Sequence, residues 1–318
     1  MFHNLKSKFF KKYSVPATPL PQIWQDTMTL IDQNKYEELT SLYLKSKYLV
    51  RKDILKVIGD MPNFDNLEDY CNDNLENYVC LLIKGHIYME QSKRGRGMDV
   101  ATRTSQHQFE LMNKYAQQAN DALYSALRNN RNDKMVFQIL INSFIYLGFE
   151  GDELEQLYQE AIQLEGTNFH LNLIVLNIKT PKWHGSQSEL FGFIKSVCSD
   201  DFYEAANLGL VCVAHYEYHL YLMMTDKTSE AIEHLDALDV KNDIRSACTD
   251  FIEHAEINDE TYYAASAFLY FAWKYSDKKM AEKLLQFTQL KVNFEAKPWF
   301  YEYGELRKYN ALRYLIGR

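Results

Sequence analysis

The sequence predicts an all-α protein built as a solenoid of right-handed helical hairpins. Three observations carry this prediction: a scarcity of helix breakers, helical spacing of apolar residues along most of the chain, and a repeat of fixed length. The 318 residues include only 12 glycines and 6 prolines, whereas 47% are hydrophobic and 14% are aromatic. Such a composition is typical of packed helices rather than of a many-turned β fold or a disordered chain.

The helical patterns follow one another with short breaks. Residues 133–148 are apolar nearly all round, as in a helix that packs on several sides. Residues 151–166 are amphipathic, and we expect Asp152 to cap this helix. Ser186 and Glu189 have the spacing of a capping box. The predicted hairpins pair residues 78–92 with 105–129, 134–147 with 152–165, 168–179 with 186–199, and 204–224 with 228–238. Further helices are expected near 22–60 (two or three), 242–255, 260–276, 278–290 and 299–316.

A small residue followed by an aliphatic residue recurs along the chain in steps of 35 positions. The pairs are Ala126–Leu127, Ala161–Ile162, Ser196–Val197 and Ala231–Ile232. Leu140, Val175 and Leu210 keep the same step on the alternate helices. Small residues let neighbouring helix backbones approach, and a fixed step of about 33–35 residues is typical of a helix-turn-helix solenoid.

Two resemblances follow from these patterns. The stretch "INSFIYLGFEGD" followed by "LYQEAIQLEGTN" resembles a tetratricopeptide repeat, in which Leu-Gly closes the first helix and a small residue sits in the second. It departs from that repeat in having "GTN" in place of a proline and no tryptophan at the start of the first helix. The fold class implied is a tetratricopeptide-like right-handed solenoid.

The chain also resembles an uncharacterised bacterial family of tetratricopeptide-like proteins, a domain of unknown function. The similarity covers roughly residues 40–225 and rests on three marks: "RGRG" at Arg94–Gly97, "KWHGSQSELFGF" at Lys182–Phe193 and "AHYE" at Ala214–Glu217. This resemblance implies a fold and a set of marked positions, and it implies no chemistry.

Breaks in the patterns suggest four segments. Residues 1–21 form a basic, proline-containing arm, 22–74 hold N-terminal helices, 75–238 form the repeat core, and 239–318 supply C-terminal helices that cap the solenoid. The arm offers weak peripheral contact with a membrane, which is not a stable insertion. The C-terminal segment fits either a cap or a pairing surface, so a monomer and a homodimer both remain open.

Charge and cysteine content exclude several classes of function. A formal net charge of −8 argues against nucleic acid as a partner, because such binding depends on neutralising phosphates. The five cysteines are scattered without C-x-x-C spacing, which favours reduced thiols and a cytoplasmic location. No signal-peptide h-region and no run of about 20 apolar residues is evident.

The sharpest candidate site is the stretch Thr180–Phe193, where proline and glycine interrupt two helical patterns. In a stack of hairpins, the loop 92–104 and the turns 149–152 and 180–186 should lie on one edge. The candidate binding residues are therefore Arg94, Arg96, Lys182, Trp183, His184, His215 and Glu217. Trp183 alternatively fills the gap between hairpins, and the arginine loop alternatively forms a salt-bridge cluster with the acidic turn.

No pattern in the sequence assigns catalysis. His215 and His219 stand four residues apart, a spacing that suits a metal, but no third ligand is evident. We therefore expect no metal, no cofactor and no catalytic residue. The leading hypothesis is a protein-binding helical-repeat module acting as an adaptor, scaffold or inhibitor of a partner. The alternative is an enzyme or a small-anion-binding protein that uses the polar cluster at the edge.

Overall fold

The all-α prediction is confirmed for the part of the chain that the structure describes. A computed structural model describes residues 21–97, 103–199, 204–289, 292–293 and 296–300, and these residues form helices and no strand. The predictions for the N-terminal arm and for a helix at 299–316 lie almost entirely outside these residues.

The chain divides into two compact units, Met1–Leu140 and Ile141–Arg318. In the first unit, helices α5 and α6 pack most extensively. Gly85 of α5 is needed there, because a Cβ at this position would lie 2.5 Å from Leu123 Cγ of α6. The helices of this unit are α1 (Gln22–Asp32), α2 (Tyr36–Lys45), α3 (Tyr48–Gly59), α4 (Asp65–Asp73), α5 (Tyr78–Arg96), α6 (Gln106–Asn129) and the start of α7 (Lys134–Leu147).

The second unit is organised around one apolar helix, α11, which packs against α10, α12, α13 and α14. The closest approach is at Gly209, where a Cβ would lie 2.5 Å from the Cβ of Ala264 on α14. After the end of α7, the helices are α8 (Glu153–Ile162), α9 (Phe169–Ile178), α10 (Gln187–Val197), a 3-10 turn (Ala205–Leu208), α11 (Gly209–Met224), α12 (Thr228–Asp236), α13 (Leu238–His254), α14 (Asp259–Lys274), α15 (Lys278–Phe287) and α16 (Lys297–Phe300).

Contacts at a separation of 35 residues recur in the second unit. The Asn172 side-chain amide donates to Asn207 Oδ1 at 3.1 Å, and both side chains are buried. The positions Leu140, Val175 and Leu210 are also buried, at 0%, 1% and 0% exposure. Residues that lie one step of 35 positions apart are therefore buried at each of these places.

The small–aliphatic pairs follow this pattern only in part. The alanines at 126, 161 and 231 are fully buried, but Ser196 is exposed and Ile232 is 54% exposed. In α10 the buried residue is Val197, which follows the small residue Ser196. The inward face of this helix is therefore rotated by one position relative to the helices that bury the small residue. A sequence step alone does not reveal such a rotation.

Helix ends differ in detail from the expectations. Ser186 caps α10 by accepting a hydrogen bond from the Glu189 N–H at 3.2 Å, as expected. Asp152 precedes α8 but makes no capping hydrogen bond with its side chain, so that expectation was wrong. Helix α5 continues to Arg96 instead of ending at residue 92, with basic residues in its last turn, where they complement the helix dipole.

Candidate functional site

The turn at residues 180–186 is held by backbone packing that only glycine permits. A Cβ on Gly185 would lie 2.2 Å from the carbonyl oxygen of Lys179. The N–H groups of Trp183 and Gly185 both donate to the carbonyl of Thr180, at 3.0 and 3.2 Å. Proline at 181 cannot continue α9, so the chain turns back towards α10 at this point.

Trp183 and His184 face the end of α7. The Trp183 ring meets Tyr146 edge-on at 6.2 Å, and the His184 ring meets Phe149 edge-on at 6.0 Å. His184 Nε2 also donates to the carbonyl of Ile145 at 3.2 Å, although the His184 side chain is largely exposed. The turns at 149–152 and 180–186 are therefore neighbours, and Trp183 packs against Tyr146 at the end of α7.

Lys182 points the other way and joins a buried ionic cluster. Its ammonium binds Glu217 Oε2, while the ammonium of Lys297 lies 2.5 Å from Glu217 Oε1. Lys297 also donates to the Asn177 side chain. The Glu217 side chain is 0% exposed, against 13% for Lys182 and 19% for Lys297. The turn and α16 thus each supply a lysine to one carboxylate on α11, and Asn177 of α9 binds Lys297. These four residues are hereafter the Glu217 cluster.

The two lysines keep this carboxylate ionised. Burial alone would raise the pKa of Glu217, but the ammonium groups of Lys297 and Lys182 outweigh burial and hold the pKa below its ordinary value. The cluster has two positive charges and one negative charge. It joins α16 to the rest of the second unit, together with Trp299, which is fully buried and stacked on Trp273.

His215 pairs with a histidine that the sequence pattern did not indicate. Its Nδ1 lies 3.2 Å from His234 Nε2, so one ring donates and the other accepts. His219, the partner suggested by the four-residue spacing, instead donates to the carbonyl of Ala231 at 2.9 Å. Burial, followed by repulsion from His234, lowers the pKa of His215 to about 3. The His215 ring also packs on Phe191 at 4.9 Å.

Arg94 and Arg96 lie in the last turn of α5, in the first unit. The Arg94 guanidinium donates to the carbonyls of Gly59 and Met61 at 2.8 and 2.6 Å, and it stacks on the ring of Phe64 at 4.6 Å. The carbonyl of Arg96 accepts from the Gln108 side chain. These contacts fasten the end of α5 to α6, to the end of α3 and to the loop that follows α3, all within the same unit. Of the predicted site residues, Lys182 and Glu217 are joined directly, and Trp183 and His184 share the adjacent turn.

An open groove lies between α8 and α10, beside the turn at 180–186. It measures about 400 Å³. Its floor is formed by Tyr158, Ile162, Phe193 and Val197, and its rim includes Glu155 and Glu189. Phe193 meets Tyr158 edge-on at 5.7 Å, which joins the two helices beneath the groove. Lys179, just before the turn, extends its ammonium over the Phe193 ring at 5.9 Å.

Gly192 lines this groove from the middle of α10. It is exposed, and a Cβ added to it would meet no atom within 4 Å. The neighbouring aromatics turn inward on either side, Phe191 towards His215 and Phe193 towards Tyr158. Glycine inside a helix is less stable than alanine by about 0.5–1 kcal/mol, and contacts within the chain do not require it here.

The described part of the chain offers no group of three or more histidine, cysteine or acidic side chains placed to hold a metal ion. Within the same residues, no helix is both long enough and apolar enough to cross a bilayer.

Comparison of the chain with protein-family models, with curated proteins and with solved structures gives no match.

Sequence reasoning missed Lys297, Asn177 and His234, which complete the two clusters. A signal existed for one contact: Lys182 and Glu217 are 35 residues apart, the same step as the repeat. Lys297 lies 80 residues beyond Glu217, outside any repeat, and no local pattern indicates that contact.

Proposed function

We propose that the chain is a helical-repeat protein that binds another protein, with its hairpins stacked as a tetratricopeptide-like right-handed solenoid. The stacking is supported by the buried contacts that recur at 35 residues, Asn172 with Asn207 and Lys182 with Glu217. Equivalent residues of successive repeats meet in this way when each hairpin packs on its neighbour.

The observation that carries the binding role is the groove between α8 and α10. It combines an apolar floor, an acidic rim and a helix-interior glycine, Gly192, whose missing side chain leaves the groove open. Solenoids commonly bind partners along such extended surfaces between repeated helices. The exposed turn that contains His184 directly precedes α10, the helix that forms one side of the groove.

Protein binding is favoured over the alternative of an enzyme or small-anion site because the residues such a site would use are engaged inside the protein. Lys182 and Glu217 belong to one ionic cluster, and His215 is only 5% exposed and bonded to His234. Each has a structural partner that explains its position.

Co-purification from the native cell tests this proposal. The tagged wild-type chain is compared with Gly192→Leu, with His184→Ala and with Ser246→Leu, an exposed control on α13. Mass spectrometry identifies the bound proteins, and light scattering gives their stoichiometry. We expect one stoichiometric protein partner, lost with Gly192→Leu and kept with Ser246→Leu.

Loss with His184→Ala alone would place the partner on the turn instead of the groove. A wild-type chain that retains a small anion but no protein would overturn the proposal.

A further inference from the structure

We propose that the groove between α8 and α10 receives an amphipathic α-helix of the partner, with lysine or arginine side chains flanking a strip of apolar residues. This inference rests on the proposed protein-binding function and names the chemistry of the partner.

Gly192 sets how near a partner can come. Its outward face has open space, and the inward packing of α10 is supplied by Phe191 and Phe193 on either side. Helices pack about 8–10 Å apart, and the small end of that range requires small side chains at the contact. A glycine facing outward in mid-helix therefore suits close contact with a second backbone.

The floor of the groove suits an apolar strip. Phe193 and Tyr158 line the groove and are each 8% exposed, and Ile162 is half-buried beside them. An amphipathic helix that places apolar side chains at i, i+3, i+4 and i+7 presents a strip of this kind to a groove.

The hydrogen-bonding needs of a partner's backbone favour a helix over an extended peptide in this groove. The groove is walled by α8 and α10, whose backbone groups are hydrogen-bonded within their own helices apart from the ends. An extended segment lying there would find no backbone partners in these walls for its own N–H and C=O groups. A helix brings those groups already paired.

The rim determines the charge of the partner. Glu155 and Glu189 border the groove, whereas the one lysine of its lining, Lys179, lies over the Phe193 ring. With a formal chain charge of −8, an acidic partner would be repelled and a basic one attracted.

Selection from a displayed peptide library tests the inference. Random peptides of about 18 residues, long enough for roughly five helical turns, are selected on the full-length wild-type chain, with soluble Gly192→Leu chain in excess as competitor. We expect the recovered sequences to carry net positive charge and apolar residues at helical spacing.

The best synthetic peptide is then measured by fluorescence anisotropy against matched variants. We expect Gly192→Leu to weaken its binding more than tenfold and Glu155→Lys to weaken it several-fold, with affinity falling as salt rises. Ser246→Leu and Glu282→Lys, on exposed faces of α13 and α15, should leave the affinity unchanged. Circular dichroism of each variant confirms that the helices are retained.

Recovery of no peptide, of acidic peptides, or of peptides without helical spacing would overturn the inference, as would equal binding to Gly192→Leu. The proposed function is judged separately by co-purification. A stoichiometric protein that is lost with Gly192→Leu but docks through an acidic or extended segment would refute the helix and keep the binding function.

Discussion

Removing the charge of Glu217 should destabilise the second unit strongly. Glu217→Gln keeps the shape of the side chain but leaves the ammonium groups of Lys182 and Lys297 facing each other without a carboxylate between them. Glu217 is 0% exposed, and both lysines are less than one-fifth exposed, so water compensates only partly for the lost charge.

The expected loss of unfolding free energy follows from the cost of removing one partner of a buried ion pair, which is about 3–5 kcal/mol. Because the lysines retain some access to water, we expect a value near the lower end, about 3 kcal/mol. For a unit of this size, each kcal/mol shifts the melting temperature by about 2–4 °C, which gives a decrease of about 6–12 °C.

Urea denaturation followed by tryptophan fluorescence measures this loss, because Trp183, Trp273 and Trp299 all lie in the second unit. Glu253→Gln, an exposed change on α13, is the matched control and should stay within about 0.5 kcal/mol of wild type.

A triple replacement, Lys182→Met, Glu217→Leu and Lys297→Met, should recover most of the stability, because it removes every charge of the cluster together. A loss below about 1 kcal/mol for Glu217→Gln would refute the reasoning, since the value would be that of an exposed pair.

Three further outcomes are expected. Gly209→Ala should destabilise the chain by about 1–3 kcal/mol in urea denaturation, because its Cβ would overlap that of Ala264; an unchanged midpoint would contradict the close approach. Gly192→Ala should instead stabilise the chain by about 0.5–1 kcal/mol, because the site is open and alanine favours the helix; destabilisation would show a contact inside the chain. His215 has a pKa of about 3 in the folded chain against an ordinary 6.5, so between these values only the unfolded chain takes up this proton. Stability should therefore fall as the pH drops from 7 to 5, by about 2 kcal/mol from this group, and His215→Gln should lose less over the same interval.

The helices could be predicted because the helical spacing of their apolar residues can be read directly from the sequence. The expected helix at 134–147 matches α7, and those at 228–238 and 278–290 match α12 and α15 to within a few residues. Ser186 could be recognised as a cap from its spacing to Glu189. Asp152 could not be judged in the same way, because its capping bond depends on a turn geometry that the sequence does not fix.

The candidate site could be predicted only in part. Lys182 and Glu217 belong to Lys182–Phe193 and Ala214–Glu217, the stretches on which the family resemblance rests, and the structure joins their side chains. Lys297 reaches the same carboxylate from the far end of the chain, and His234 reaches His215 from the next helix. Such contacts depend on how helices rotate and cross, as the exposed Ser196 and Ile232 also show.

Photo-crosslinking in the native cell tests most directly whether the groove binds a protein. A photoreactive amino acid replaces Gln159, an exposed residue in the lining of the groove, or Ser246 as the control on α13. We expect irradiation to give one discrete protein adduct from position 159, absent from position 246 and from a chain that also carries Gly192→Leu. The same adducts from both positions, or none from position 159 in a folded chain, would contradict a protein-binding groove.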